Sequence, residues 1–289
     1  MPPLDPSSLY DLIGSLLPFD FMQARFMQQA LVGLILLAPM CAAMGIQVIN
    51  LRMAFFSDAI SHSAFTGVAL GLLFGLDTRF TMVAFGLLVG LAIIMVGKRV
   101  SLSADTLVGV FFSAVIAFGL AAVSRDRSAA RNLQMFLYGD ILTIGDSEIL
   151  WLVGLFAVMM VFQFLAYNRL LYLSLNPLLA SVHRVKVDFY QYAYAAFLSI
   201  VVIFAVWAVG VLLVTAMLIL PAASGRNFAS SAGNMFWWAL LVAWTSAVGG
   251  LAISAQPWAG TATGATIILC AFLWFVASYI YAAMRKQVR

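Results

Sequence analysis

The stretch FYQYAYAAFLSIVVIFAVWAVGVLLVTAMLILPAASG, Phe189 to Gly225, contains no Asp, Glu, Lys or Arg. A bilayer core about 30 Å thick is crossed by roughly 20 apolar residues in a helix, so this run is long enough to cross twice. It lacks the period-two alternation of a barrel strand. In hydrocarbon only helices and closed barrels pair every backbone group, so the stretch reads as helix. Positions 27–50, 80–97, 149–168 and 227–284 are equally free of charge. The whole chain of 289 residues is 64% hydrophobic and 9% charged, against roughly 25% charge in soluble domains. There is too little polar surface to clothe a water-soluble globule. The expected fold class is all-α, a polytopic membrane protein with eight or nine transmembrane helices.

The spacing predicts helices near 27–50, 58–76, 80–97, 105–124, 148–168, 189–208, 210–225, 235–255 and 262–284. Residues 1–26, with Asp5, Asp11 and Asp20 against Arg25 and several prolines, read as an interfacial segment. Residues 27–284 form the membrane domain and 285–289 a cytoplasmic tail. No positively charged leader or A-x-A cleavage site is visible, so no removable signal peptide is expected. The positive-inside rule places Lys98, Arg99, Arg169, Arg184, Lys186, Arg226, Arg285, Lys286 and Arg289 in the cytoplasm. Nine alternating segments satisfy that placement and leave the N-terminus outside, with the loop of Arg125, Arg127 and Arg131 as the misfit. A net charge of +4 spread over short loops speaks of orientation and not of nucleic acid. Cys41 and Cys270 lie within apolar runs and read as small hydrophobes.

Gly67, Gly71 and Gly75, and again Gly86 and Gly90, recur every four positions, so helix backbones can approach closely there. Pro39 and Pro221 each remove a backbone hydrogen bond and predict a kink or break in their helices.

The chemistry-bearing stretch is Met53 to Gly67, MAFFSDAISHSAFTG. Asp58, His62 and Thr66 are spaced by four and stack along one helix face. A carboxylate and an imidazole one turn apart suit Zn²⁺, Mn²⁺ or Fe²⁺, and one of each leaves the metal open. Ionisable groups in a spanning segment mark functional pathways, while Asp58 also fits a carboxylate favoured at a helix start. On the residues alone, a metal pathway and a structural Asp–His pair both stand. A hydrolytic zinc site needs three protein ligands, and the other histidine, His183, sits in a basic loop. The chain has no G-x-x-x-x-G-K-[ST] phosphate loop, so any ATP that drives it is bound by another subunit. Between Asn168 and Asp188, Asn176 and Pro177 read as N-cap and first residue of a short helix through Leu178, Leu179, Ala180 and Val182 toward His183, Arg184 and Lys186. Such a helix either lies on lipid headgroups or docks a partner.

Four pieces in order resemble the metal-permease family of ABC transporters, the bacterial zinc, manganese and iron importers. They are the Arg52–Gly67 segment around Asp58-Ala59-Ile60-Ser61-His62, Phe136–Leu142, Val209–Ala223, and Thr263–Leu269; the resemblance covers about residues 26–280. It implies a type II ABC-importer-like permease in the bacterial inner membrane that translocates a divalent metal and is not itself an enzyme. It implies a homodimer or a heterodimer with a paralogue, two cytoplasmic ATPase subunits that bind ATP, and an extracytoplasmic metal-binding protein. No permanently bound cofactor is expected. Asp58 and His62 correspond to the metal-coordinating position, and Asn176, Pro177, Leu179, Ala180, His183 and Arg184 to the helix that couples to the ATPase. Two positions depart from the pattern. Ser254-Ala255-Gln256 stands where a Tyr or His often follows the serine, and Val182-His183-Arg184 stands where a glycine is usual. Rival readings are a permease for a metal chelate or vitamin with Trp207, Trp237, Trp238, Trp244, Trp258 and Trp274 lining its path, a proton-coupled secondary transporter using Asp58, and a membrane-embedded hydrolase. Aromatic residues at helix ends also serve as interface anchors.

Overall fold

A computed structural model describes residues 10, 13–15, 19–124 and 141–287. Among the described residues ten helices follow in chain order: α1 (Arg25–Asn50), α2 (Phe56–Phe74), α3 (Thr78–Gly97), α4 (Ala104–Val123), α5 (Asp146–Leu175), α6 (Pro177–Val182), α7 (Val187–Val209), α8 (Val211–Phe228), α9 (Ala232–Ser254) and α10 (Thr263–Gln287). Eight of them, all but α2 and α6, are long and apolar enough to cross a membrane. The 19-residue α2 is less apolar because it carries Asp58, His62 and three serines. It is shielded by α3, α4 and α7 and touches α8.

The expected boundaries differ most at α5, which continues past Asn168 to Leu175. The last turns leave the apolar run but keep polar support. Arg169 bonds to the Tyr190 hydroxyl and lies 5.4 Å from the centre of its ring. The loop of Arg125, Arg127 and Arg131 and nearly all of Phe136–Leu142 lie outside the described residues.

Neither proline breaks its helix: α1 runs through Pro39 and α8 through Pro221. Pro39 leaves the carbonyl of Ile35 without its usual amide donor. The indole Nε1 of Trp244 in α9 donates to that carbonyl at 3.2 Å. One helix thus supplies the hydrogen bond that another lost, as a lipid environment demands.

In the bundle α1 is the central element, packed against α5, α8 and α9. Its buried face includes Ala42, Ala43 and Met44, and Gly45 lies where α8 crosses. A Cβ on Gly45 would overlap the carbonyl oxygen of Leu218 and lie 2.8 Å from its carbonyl carbon. The expected close approaches are present: Gly67 meets the backbone of Met82, Gly71 meets Thr78, and Gly86 and Gly90 admit Ile203 and Ser199 from α7. Gly75 instead ends α2 in the left-handed conformation at φ 65. Gly210 alone joins α7 to α8, with φ 87 and ψ 162, a backbone region that is essentially reserved for glycine.

The charged groups sort to opposite ends. At one end Lys98 pairs with Asp188 at 2.6 Å, and Arg52 and Arg226 line a cavity with Ser174. At the other, Asp146 gathers Tyr10 at 2.6 Å, Arg25 at 2.8 Å and Gln29 at 2.8 Å. Burial, with Asp146 next, pushes the Tyr10 hydroxyl up to about 12, so it remains a proton donor. The basic end carries α6 and by the positive-inside rule faces the cytoplasm.

Gly45→Val should destabilise the bundle by about 3 kcal/mol, since the obstacle is a backbone carbonyl and not a movable side chain. Trp244→Phe should cost about 1 kcal/mol through the orphaned Ile35 carbonyl. Both are read as lowered midpoints of thermal unfolding in detergent.

Candidate functional site

The chain enters α2 through a tight turn. The Ser57 hydroxyl donates to the Ala54 carbonyl at 3.1 Å, and Phe56 is fully buried. This anchors the first turn so that Asp58 lies within it, where a carboxylate is favoured by the helix dipole. Asp58 is the only charged residue between Arg52 and Asp77. His62 follows one turn later, and both are partly exposed while Ala59, Ile60 and Ser61 between them are buried.

Three helices contribute to this face. The His62 ring stands edge-on to Phe112 of α4, with centroids 5.0 Å apart. Thr215 of α8 lies beside the Asp58 carboxylate, and its hydroxyl donates to the Leu212 carbonyl at 3.3 Å. Asp58 and His62 interact electrostatically along the helix. Thr66 shares the stack but is buried, and its hydroxyl donates to the Val115 carbonyl at 2.9 Å. Its role there is to tie α2 to α4. Ser61, beside the pair, is fully buried and its hydroxyl has no hydrogen-bond partner.

Among the described residues no group of three or more His, Cys, Asp and Glu converges. Each chain therefore offers a carboxylate and an imidazole, with a threonine hydroxyl alongside. Gln256 lies in the turn after α9, its amide bonded to the Ile253 carbonyl at 3.1 Å. The sequence reading missed Thr215. Its only signal was a hydroxyl inside the uncharged run 189–225, and the run gives no hint that α8 returns beside α2.

The second group lies at the basic end. The Asn176 side chain accepts from the Leu178 amide at 2.8 Å, and Pro177 begins α6. Leu179 occupies the middle of that six-residue helix. Ala180 is fully buried, whereas Leu178 and Val182 are each 76% exposed. His183 lies beside Tyr172, ring centroids 5.7 Å apart. Arg184 closes the helix in the left-handed conformation at φ 58. There its amide bonds to the Ser181 carbonyl at 3.0 Å, and the Val185 amide bonds to Ala180 at 3.0 Å. This is the double-bonded helix end that usually takes glycine, so Arg184 holds the backbone shape expected of a glycine in this segment.

The profile of the ABC 3 transport family matches residues 23–282. The chain is 30% identical over 251 residues to the membrane protein ZnuB of the high-affinity zinc uptake system of Haemophilus influenzae, covering 86% of this chain and 95% of that one. It is 30% identical over 265 residues to the manganese import system permease protein ScaB of Streptococcus gordonii, covering 92% and 94%. Among solved structures, PsaBC from Streptococcus pneumoniae in complex with Fab superposes with a TM-score of 0.76 at 30% identity, covering 95% of each chain.

Arg184→Gly should stabilise the segment by about 1 kcal/mol, since a left-handed backbone disfavours a Cβ by roughly that amount. The check is a raised thermal midpoint, with Arg184→Ala giving none.

Proposed function

This chain belongs to the ABC 3 transport family, and we propose that it is the membrane-spanning subunit of an ATP-driven importer that carries a divalent metal ion across the bacterial inner membrane. It is a transporter subunit and not an enzyme, and ATP hydrolysis falls to a separate subunit. The observation that carries the assignment to the chain's own residues is the pairing of Asp58 with His62, one turn apart on the least apolar of the long helices. Relatives named for zinc and for manganese both match over most of their length, and a carboxylate with an imidazole suits either ion.

The metal is cargo. An extracytoplasmic binding protein releases it at the outer face, and Asp58 and His62 then coordinate it in passing. Transport requires a station weak enough to release what it accepts. Two ligands per chain meet that requirement, whereas a closed four-ligand zinc site would retain its ion. A second permease chain, identical or paralogous, would bring a second pair. Thr215 stands on α8 beside the Asp58 carboxylate, where a hydroxyl could join a passing ion's coordination. On the cytoplasmic side, Leu178 and Val182 give α6 an apolar surface for an ATPase subunit, with Asn176, Pro177, Leu179, Ala180, His183 and Arg184 shaping the helix and its end. Two ATPase subunits would close on ATP and drive the pair of permeases between outward-open and inward-open states.

The test is uptake of radioactive zinc, manganese and iron by cells carrying the wild type, Asp58→Ala or His62→Ala at equal membrane abundance. Asp58→Ala should reduce uptake at least about tenfold and His62→Ala somewhat less, as loss of one ligand from a weak site implies. Full uptake by Asp58→Ala would remove the coordination role. Uptake that persists without the ATPase but collapses with the proton gradient would instead assign a secondary transporter.

A further inference from the structure

We infer that the seam between α5 and α9 at the basic end binds an anionic phospholipid of the adjoining leaflet, with the phosphate held by Arg52 and Arg226. These two arginines line a cavity of about 380 Å³ together with Ser174, Ser230 and Ser231. No carboxylate pairs with either guanidinium among the described residues, whose ion pairs are Arg25–Asp146 and Lys98–Asp188. Both arginines are exposed on the cavity, and guanidinium matches phosphate bidentately. The N-terminus of the 23-residue α9 opens onto the same cavity through Ala232. Ser231 caps it by accepting from the Asn234 amide at 3.3 Å, which leaves the serine hydroxyl proton free to donate.

The backbone at Arg52 is a second and independent sign. Arg52 sits at φ 56 at the end of α1, with its amide bonded to Ile49 at 3.1 Å and the Met53 amide to Val48 at 2.9 Å. Glycine is the unstrained residue at this position of such a helix end. Arginine stands here at a backbone cost that glycine would avoid.

The occupant is identified by what continues from the cavity. A groove of about 370 Å³ follows the same α5–α9 seam toward the membrane interior, lined by Met160, Phe164, Phe236 and Trp237. Its wall begins at Gly233, next to Ala232 of the charged cavity. The Tyr167 hydroxyl donates to the Ala232 carbonyl at 3.1 Å where the two adjoin. Phe164 and Trp237 are 90% and 69% exposed. A cationic pocket at the membrane edge that opens into an aromatic groove fits a phosphate headgroup with its acyl chains. An acidic side chain of a cytoplasmic protein would use the pocket and leave the groove empty. The site does not depend on the identity of the cargo.

The importer, purified with its ATPase, is placed in nanodiscs of phosphatidylcholine containing phosphatidylglycerol, extracted gently, and the retained phosphatidylglycerol is counted by native mass spectrometry. The wild type should retain it in preference to phosphatidylcholine. The double variant Arg52→Gly, Arg226→Gln should retain about tenfold less while keeping its ATPase and a thermal midpoint in phosphatidylcholine alone no lower than that of the wild type. Trp237→Ala should weaken retention of the lipid. Equal retention by wild type and double variant overturns the proposal. So does displacement of the lipid by millimolar glycerol 3-phosphate, which would make free phosphate the ligand. Loss of the ATPase from the double variant also overturns it, since the arginines would then serve that partner.

Discussion

Helices in lipid gain nothing from the hydrophobic effect by touching one another, so their association rests on close packing and on hydrogen bonds that lipid cannot supply. The contact of Gly45 with the Leu218 carbonyl is the tightest case in this bundle. Because no side chain intervenes, the backbones of α1 and α8 lie in direct contact at mid-helix. That contact fixes α8 against the central helix. The Trp244 bond to the Ile35 carbonyl then fixes α9 against α1 nearly three turns away. With α1, α8 and α9 locked together, Thr215 is held at a fixed place on that unit, where α8 touches α2.

The helix that carries Asp58 depends on the same economy. α2 has too many hydroxyls to face lipid, and it disposes of most of them internally. Ser57 donates to Ala54, Ser63 to Ile60 at 2.6 Å, and Thr66 across to α4. α3, α4 and α7 pack around the helix, while its last turn, Leu72 to Phe74, stays exposed. Asp58 and His62 are also partly exposed, bordered by Phe112 and Thr215. The helix ties up Ser57, Ser63 and Thr66 and leaves its one carboxylate partly open, and an open ionisable group within the membrane domain marks a functional pathway.

The uncharged runs made the fold class and most helix positions legible, because span length and the absence of charge are local properties. The Asp58–His62 pair was legible for the same reason, since i, i+4 spacing is fixed within one helix. The partners of that pair were not. Thr215 lies far along the chain, and only the reversal at Gly210 brings α8 back beside α2. The prolines predict a kink or a break, and the sequence does not reveal that Trp244 stands opposite the carbonyl freed by Pro39. The extension of α5 to Leu175 was hidden because polar residues at a membrane edge look alike in a loop and in a helix supported by neighbours such as Tyr190.

α8 links the two functional ends of the molecule in one element. It starts at Gly210, passes Thr215 and Leu218, and ends with Arg226 at the basic rim. From Thr215 to Arg226 is about 16 Å at the rise of an α-helix. A helix of this length is stiff, so a tilt applied at Arg226 is delivered to Thr215 unless something between them yields. The Gly45–Leu218 contact lies between them and holds α8 against α1. Gly210 supplies freedom at the far end through a conformation that other residues disfavour. If Asp58 serves as the proposed station, motion at the cytoplasmic rim would reach its surroundings through α8, and enlarging Gly45 would disturb that path as well as packing.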